Sequence, residues 1–95
     1  MDLRNIVKQS NTVIIDVREP YEFAAGHAVG AINIPLGTIP TSLIDIKKMG
    51  NPVVVYCRSG MRSANAMSFL KAQGVQDIFN GGSLDEVLMY QKKAA

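Results

Sequence analysis

Two short, mostly apolar runs constrain the fold of this 95-residue chain more than any other feature. They cover residues 13–17, Val-Ile-Ile-Asp-Val, and residues 53–56, Val-Val-Val-Tyr. Continuous runs of this kind are typical of strands that are buried on both faces of a parallel sheet. Because helices cover both faces of such sheets, the two runs predict an α/β fold.

Strand and helix patterns alternate along the rest of the chain. Further short strands are predicted at residues 31–34 and 76–79, and a turn is predicted at Asn80-Gly81-Gly82. Helices are predicted near residues 3–7, at 20–26, at 38–46 with Pro40 in the first turn, at 63–73 with Gly74 as the C-cap, and from Ser83 to about Lys92. The alternation indicates parallel β-α-β units.

Length and composition favour a single globular domain over residues 1–95. The chain is 47% hydrophobic and 19% charged, which excludes a disordered protein. A net charge of +2 and scattered basic residues give no reason to expect nucleic acid as a partner. No apolar run is long enough to cross a membrane, and the first five residues lack the apolar core of a signal peptide. A single cysteine excludes an internal disulfide and fits a reducing compartment, so we expect a cytoplasmic protein.

Cys57 directly follows the second apolar run. A glycine-containing loop with two arginines and a helical stretch come next, so the thiol is expected above a strand end, beside backbone N–H groups and cations. Such surroundings stabilise a thiolate and lower the pKa of a cysteine below its ordinary value of about 8.5. The alternative is that Cys57 is a small buried hydrophobic residue, as many free cysteines are.

The loop after Cys57 has the composition of an anion cradle. Gly60 permits a positive φ that turns successive N–H groups inward, and the helix N-terminus adds partial positive charge. Arg58 and Arg62 would donate charge-assisted hydrogen bonds to an anionic substrate, unless they lie on a solvated face. Further substrate-binding candidates are Ser59, Met61 and Ser63, for which capping, solvent exposure or plain packing are equal alternatives.

Three motifs in this order resemble the signature of rhodanese domains. The first comprises Asp16-Val17-Arg18-Glu19, Glu22-Phe23, Gly26-His27, Gly30-Ala31 and Asn33-Ile34-Pro35; the second is Val55-Tyr56-Cys57-Arg58-Ser59-Gly60-Met61-Arg62-Ser63; the third is Gly81-Gly82. The resemblance runs from about residue 13 to residue 88. It implies a three-layer α/β/α rhodanese-like fold with a central parallel sheet of about four to five strands. In the sheet order of that family, the 13–17 strand lies between the 31–34 and 53–56 strands, and a ligand crevice opens at the carboxyl ends of the strands.

The resemblance also implies a function. Rhodaneses are sulfurtransferases, so the chain is expected to move sulfane sulfur from thiosulfate or another persulfide donor to a thiol or cyanide, through a persulfide on catalytic Cys57. No cofactor or metal is expected, and one histidine with one cysteine cannot make a zinc site within a chain. We expect a monomer or weak dimer acting on small molecules. Support of the site is expected from Asp16, Arg18, Glu22 and His27, with Asp16 accepting hydrogen bonds from the loop and Arg18 pairing with Glu22.

Three other functions are compatible with the motifs. The first is a sulfur carrier that exchanges persulfide with a protein donor or acceptor. The second is a phosphatase or arsenate reductase, but those enzymes use Cys-x5-Arg, whereas Cys57 to Arg62 is Cys-x4-Arg. The third is an interaction module, which the retained cysteine disfavours. Ser83-Leu84-Asp85 follows the two glycines, where the family usually has an aromatic or bulky residue. The resemblance therefore gives no prediction for this wall of the site.

Overall fold

A computed structural model describes residues 2–92 as alternating helices and strands. The helices are α1 (Leu3–Lys8), α2 (Pro20–Ala25), α3 (Leu43–Met49), α4 (Met61–Ala72) and α5 (Leu84–Gln91), and the strands are β1 (Val13–Asp16), β2 (Ile32–Asn33), β3 (Val53–Cys57) and β4 (Ile78–Ser83). Two short 3-10 turns, Leu36–Thr38 and Pro40–Ser42, precede α3. Within residues 2–92, no helix has the length and apolar character needed to span a bilayer.

The four strands form one parallel sheet in the order β2-β1-β3-β4. Ile15 pairs with Ile32 on one side of β1 and with Val55 on the other, which confirms the predicted central position of this strand. The carboxyl ends of β1 and β3 therefore meet at the same edge of the sheet. The loops that follow these two strands lie side by side there.

Side chains alternate between the two faces of the sheet, and each face builds its own core. On one face Ile15, Val53 and Val55 pack in a cluster that also contains buried residues of α3 and α4, such as Ile46 and Leu70. On the other face Ile14, Val54 and Tyr56 pack in a cluster that contains Ile6 and Val7 of α1 and Val87 of α5. Helices on both faces of the sheet confirm the predicted three-layer α/β/α architecture.

The segment between β2 and β3 differs from the prediction of one helix over residues 38–46. It forms the two 3-10 turns first, and α3 begins only at Leu43. Pro40 separates the two turns, because it has no N–H to donate to the carbonyl of Leu36 four residues earlier, so the turn that begins at Leu36 cannot continue as an α-helix. Strand β2 is also shorter than the predicted 31–34 and covers only Ile32 and Asn33, although the N–H of Ile34 still donates to the carbonyl of Asp16 at 2.9 Å.

Strand β4 contains the segment that the sequence predicted to be a turn. Val55 pairs with Asn80 and Tyr56 pairs with Gly82, so Gly81 is the extra residue of a β-bulge. The backbone at Gly81 lies so close to the core that a Cβ there would be 2.9 Å from methyl groups of Val54 and Val87. Strand pairing thus continues through the two glycines, and Ser83 ends the strand as the N-cap of α5.

Candidate active site

Cys57 is the last residue of β3, and its side chain is fully buried beneath the loop that follows. The Sγ atom accepts a hydrogen bond from the N–H of Gly60 at 3.0 Å and another from the N–H of Ser63 at 3.4 Å. The loop residues therefore surround the sulfur with donors. This is the cradle that the glycine and the helix start predicted.

The loop takes this shape because α4 begins earlier than the sequence suggested. Gly60 is the N-cap, with a left-handed φ of 95° that favours glycine, and the helix starts at Met61 instead of near residue 63. Ser63 is consequently the third residue of the first turn. The N–H groups of a first turn have no partner within the helix, which leaves that of Ser63 free to donate to the sulfur.

Hydrogen bonds decide the acidity of Cys57. Burial alone would raise the pKa of the thiol, because it disfavours the charged form. Hydrogen bonds from the Ser63 hydroxyl and from the N–H groups of Ser63, Ser59 and Gly60 outweigh burial, so the pKa lies below its ordinary value. Preorganised dipoles thus account for the lowered pKa that the sequence predicted, whereas the arginines are not among its main causes.

A side chain that sequence reasoning missed, Asn80, ties the loop to β4. Its Nδ2 donates to the carbonyl of Gly60 at 3.1 Å, and its Oδ1 accepts from the hydroxyl of Ser63 at 2.7 Å and from the N–H of Gly82 at 2.9 Å. The Ser63 hydroxyl also lies 3.4 Å from Sγ of Cys57. One signal was present in the sequence: a polar residue immediately before a pair of glycines near the end of a strand.

Arg62 forms an ion pair across the crevice. Its guanidinium donates to both carboxylate oxygens of Glu22, at 2.8 and 3.1 Å, and so joins the start of α4 to α2. These hydrogen bonds, together with one from the N–H of Glu19, lower the pKa of Glu22 from 4.5 to about 2. The expected Arg18–Glu22 pair is therefore wrong, and Arg62 is already engaged by protein.

Arg18 instead pairs with Asp16, and both residues are buried. The guanidinium donates to both carboxylate oxygens at 2.7 to 3.0 Å and to the carbonyl of Gly26 at 2.7 Å. The sequence predicted that Asp16 accepts from the active loop, but its side-chain partners are the backbone and side chain of Arg18. The pair fixes the turn after β1, and Asn33 braces the same turn by donating to the carbonyls of residues 16 and 18.

A pocket of about 340 Å³ opens beside the loop, between α2 and the start of α5. Arg58, Tyr21 and Glu22 line it on one side, and Ser83, Leu84 and Asp85 line it on another. The segment after the two glycines thus contributes a wall even without an aromatic residue. Among residues 2–92, Arg58 has no carboxylate within ion-pair distance, in contrast to Arg62.

The remaining candidates have more peripheral positions. Met61 is 75% exposed, and Ser59 is exposed in the loop. His27 is exposed as well; its ring stacks on Phe23 with centroids 3.7 Å apart, and its Nδ1 lies 2.8 Å from the Phe23 carbonyl. In the part of the chain that the structure describes, no three His, Cys, Asp or Glu side chains converge as a metal site would require.

Comparison with protein families decides the relationship. The family described as "Rhodanese-like domain" matches residues 1–85. The chain belongs to the rhodanese-like family. Among its rhodanese relatives, the thiosulfate sulfurtransferase PspE of Escherichia coli (strain K12) is 34% identical over 80 residues, which cover 83% of this chain and 77% of that protein. The sulfurtransferase of Allochromatium vinosum is 34% identical over 77 residues, which cover 81% and 71%.

Solved rhodanese structures share the fold. A rhodanese with anions from E. coli is 33% identical with a TM-score of 0.72, and the match covers 79% of this chain and 89% of that one. The human single-domain sulfurtransferase TSTD1 is 26% identical with a TM-score of 0.75, and the match covers 92% and 89%.

The rhodanese-like domain also forms part of longer proteins. The chain spans 52% of the Bacillus subtilis protein YqhL, to which it is 42% identical over 67 residues, or 70% of this chain. It spans 27% of a tRNA uridine(34) hydroxylase of Buchnera aphidicola, to which it is 29% identical over 83 residues, or 82% of this chain.

Proposed function

We propose that this rhodanese-like protein is a sulfurtransferase that carries sulfane sulfur as a persulfide on Cys57, with thiosulfate or another persulfide as the donor. The observation that carries the proposal is the sulfur at the carboxyl end of β3, held by the N–H groups of Gly60 and Ser63. The same donors that stabilise a thiolate also stabilise a persulfide anion.

The reaction has two displacement steps. The Cys57 thiolate attacks the outer sulfur of thiosulfate, a new S–S bond forms, and the original S–S bond breaks as sulfite leaves with the electron pair. A cyanide or thiolate acceptor then attacks the outer sulfur of the Cys57 persulfide. The transferred sulfur leaves with the acceptor, and the Cys57 thiolate is regenerated.

Arg58 is the cation that we assign to capture of an anionic donor. It lines the pocket and has no ion-pair partner among residues 2–92, whereas Arg62 is paired with Glu22. Because Cys57 is fully buried, residues that cover it must move before a donor can reach the sulfur. Donor size should therefore limit the rate of sulfur loading.

A sulfur carrier served by a protein donor is a second candidate, in which Cys57 performs the same chemistry. It is favoured by the likeness to one domain of a longer chain: the match to CoADR-RHD of Bacillus anthracis covers 15% of that chain, with 28% identity and a TM-score of 0.72. A phosphatase is disfavoured, because the Cys-x4-Arg loop already closes around one sulfur atom. In either case a free reacting thiol favours a reducing setting such as the cytoplasm.

Intact-mass spectrometry tests the proposal directly. After incubation with thiosulfate the protein should gain one sulfur atom, and cyanide or dithiothreitol should remove it. Cys57→Ser is the control and should gain nothing. Failure of the wild-type protein to gain sulfur from thiosulfate while it accepts sulfur from a persulfide would select another donor, and failure with both would refute the proposal.

The two arginines provide a matched pair of variants. Arg58→Ala should weaken the use of thiosulfate more than the use of a neutral persulfide, because only the anionic donor loses a charge-assisted hydrogen bond. Arg62→Ala should affect both donors equally, since it breaks the contact with Glu22 that holds the loop. The opposite pattern would return the donor-binding role to Arg62.

A further inference from the structure

The orientation of the Asn80 amide follows from its two unambiguous partners. The N–H of Gly82 can only donate, so it must face Oδ1, and the carbonyl of Gly60 can only accept, so it must face Nδ2. Oδ1 therefore also faces the hydroxyl of Ser63. The amide cannot flip without losing both backbone hydrogen bonds.

This orientation restricts the single proton of the Ser63 hydroxyl. The hydroxyl lies 2.7 Å from Oδ1 of Asn80 and 3.1 Å from the carbonyl of Gly60, and both of these oxygens are acceptors. A separation of 2.7 Å is that of a good O–H···O hydrogen bond, so the proton points to Asn80. The hydroxyl can then only accept from the thiol of Cys57, 3.4 Å away.

We propose that Asn80 is a positioning residue that competes with the sulfur of Cys57 for the Ser63 hydroxyl proton. In the thiol form the hydroxyl donates to Asn80 and accepts from the S–H. When Cys57 loses its proton to solvent, the Ser63 O–H rotates away from Oδ1 and donates to the thiolate. No proton leaves Ser63, and the thiolate gains a donor only as Asn80 loses one.

As a consequence, the Cys57 thiolate is less stabilised with Asn80 present than it would be by the same loop without Asn80. A thiolate that is less stabilised is a stronger nucleophile, although less of it is present at a given pH. The inference rests on the proposed function only in that Cys57 is the reacting group.

The elements packed around the loop of Cys57 also carry charged groups. They are Arg58 in the loop, the Arg62–Glu22 pair between α4 and α2, the Asp16–Arg18 pair after β1, and Asp85 and Glu86 in the first turn of α5. None of them exchanges a hydrogen bond with Asn80 within residues 2–92. Substitution of Asn80 by a neutral residue therefore leaves their pairing in place.

The pH dependence of iodoacetamide alkylation of Cys57 tests the proposal in four proteins: wild type, Asn80→Leu, Ser63→Ala and the double variant. Where Ser63 is present, Asn80→Leu should lower the pKa of Cys57, because the hydroxyl proton is released to the sulfur. The change should be about one pH unit more negative than the change that Asn80→Leu causes in the Ser63→Ala background, where no hydroxyl proton is released. A displacement of the loop at Gly60 that is common to both backgrounds cancels in this comparison. Equal effects in the two backgrounds, or a higher pKa specific to the Ser63 background, would overturn the proposal.

Two further variants secure the test. If Asn80→Leu does not fold, as judged by a thermal melt, Asn80→Asp replaces it, because the carboxylate has the same shape and is a stronger acceptor. Asn80→Asp should raise the pKa of Cys57 more in the protein that keeps Ser63 than in the Ser63→Ala background. An equal rise in both backgrounds would refute the proposed competition. Ser59→Ala removes an exposed hydroxyl of the same loop and should leave the effect of Asn80→Leu unchanged. Alkylation needs no sulfur donor, so its outcome is independent of whether thiosulfate loads Cys57.

Discussion

Replacing Glu22 by glutamine tests how much the Arg62–Glu22 ion pair, which joins α4 to α2, stabilises the fold. Glutamine keeps one oxygen that can accept from the N–H of Glu19 and from Nη1 of Arg62, so the substitution removes the charge opposite Arg62 and the acceptor of its Nη2. The pKa of Glu22 falls from 4.5 to about 2, and this fall sets an upper limit of about 3 kcal/mol on the stabilisation. Because the Arg62 side chain is 35% exposed, solvent screens the pair, and about 1–2 kcal/mol is the expected loss in the free energy of unfolding.

The pH dependence gives this prediction its sign. A carboxylate whose pKa is lower in the folded state stabilises the fold fully above its unfolded pKa and loses that effect as the pH falls through the folded pKa. For Glu22 the contribution is therefore complete above about pH 4.5 and declines towards pH 2. The Glu22→Gln variant should be less stable than wild type at pH 7, and the difference should shrink across that window.

Urea unfolding at pH 7, 5, 4, 3 and 2 measures the effect. At pH 7 the midpoint should fall by roughly 1 M, given about 1–2 kcal/mol per M for a domain of this size. Asp77→Asn is the matched control, because it removes an exposed carboxylate that lies outside the helices and has no ion pair among residues 2–92. A deficit that is the same at every pH would mean that the ion pair is not the cause, and the absence of a deficit at pH 7 would mean that solvent screens the pair completely.

Three other substitutions test the site. Asp16→Asn leaves Arg18 buried without its countercharge and should cost about 3–5 kcal/mol of unfolding free energy in a urea titration; a loss below 1 kcal/mol would show that the pair is dispensable. Gly60→Ala strains a φ of 95° and should displace an N–H from the sulfur, so iodoacetamide titration should report a higher pKa for Cys57; an unchanged pKa would contradict that role. Gly81→Ala places a methyl 2.9 Å from two valine methyls and should reduce the free energy of unfolding by roughly 1–3 kcal/mol, seen as a lower melting temperature. An unchanged melting temperature would mean that the bulge can relax.

The local part of the site could be read from the sequence. An apolar strand, a cysteine at its end, a glycine with positive φ and a helix start are neighbours along the chain, so their geometry follows from local rules. The sheet order followed from the resemblance, which extends over most of the chain. The start of α4 was misplaced by two residues, because Met61 and Arg62 show no apolar periodicity to mark it.

Contacts between distant segments could not be read in the same way. Arg62 had several carboxylates available, and only the fold shows that it pairs with Glu22, 40 residues earlier in the chain. Asn80 lies 17 residues from Ser63, and no local pattern links an asparagine on one strand to a hydroxyl on a preceding helix. The break at Pro40 was missed for another reason: proline is tolerated in the first turn of a helix, so its presence there was compatible with one helix over residues 38–46.

The bulge at Gly81 divides β4 into two parts with separate duties. Before it, Ile78 and Phe79 belong to the two hydrophobic clusters; after it, Ser83 caps α5 and lines the pocket. An extra residue at this point absorbs the change of register, so the second part need not follow the side-chain alternation of the first. Substitutions of Ser83 and Asp85 in the pocket wall therefore leave the core contacts of Ile78 and Phe79 in place, whereas Leu84 also packs against the cluster that contains Tyr56 and Val87.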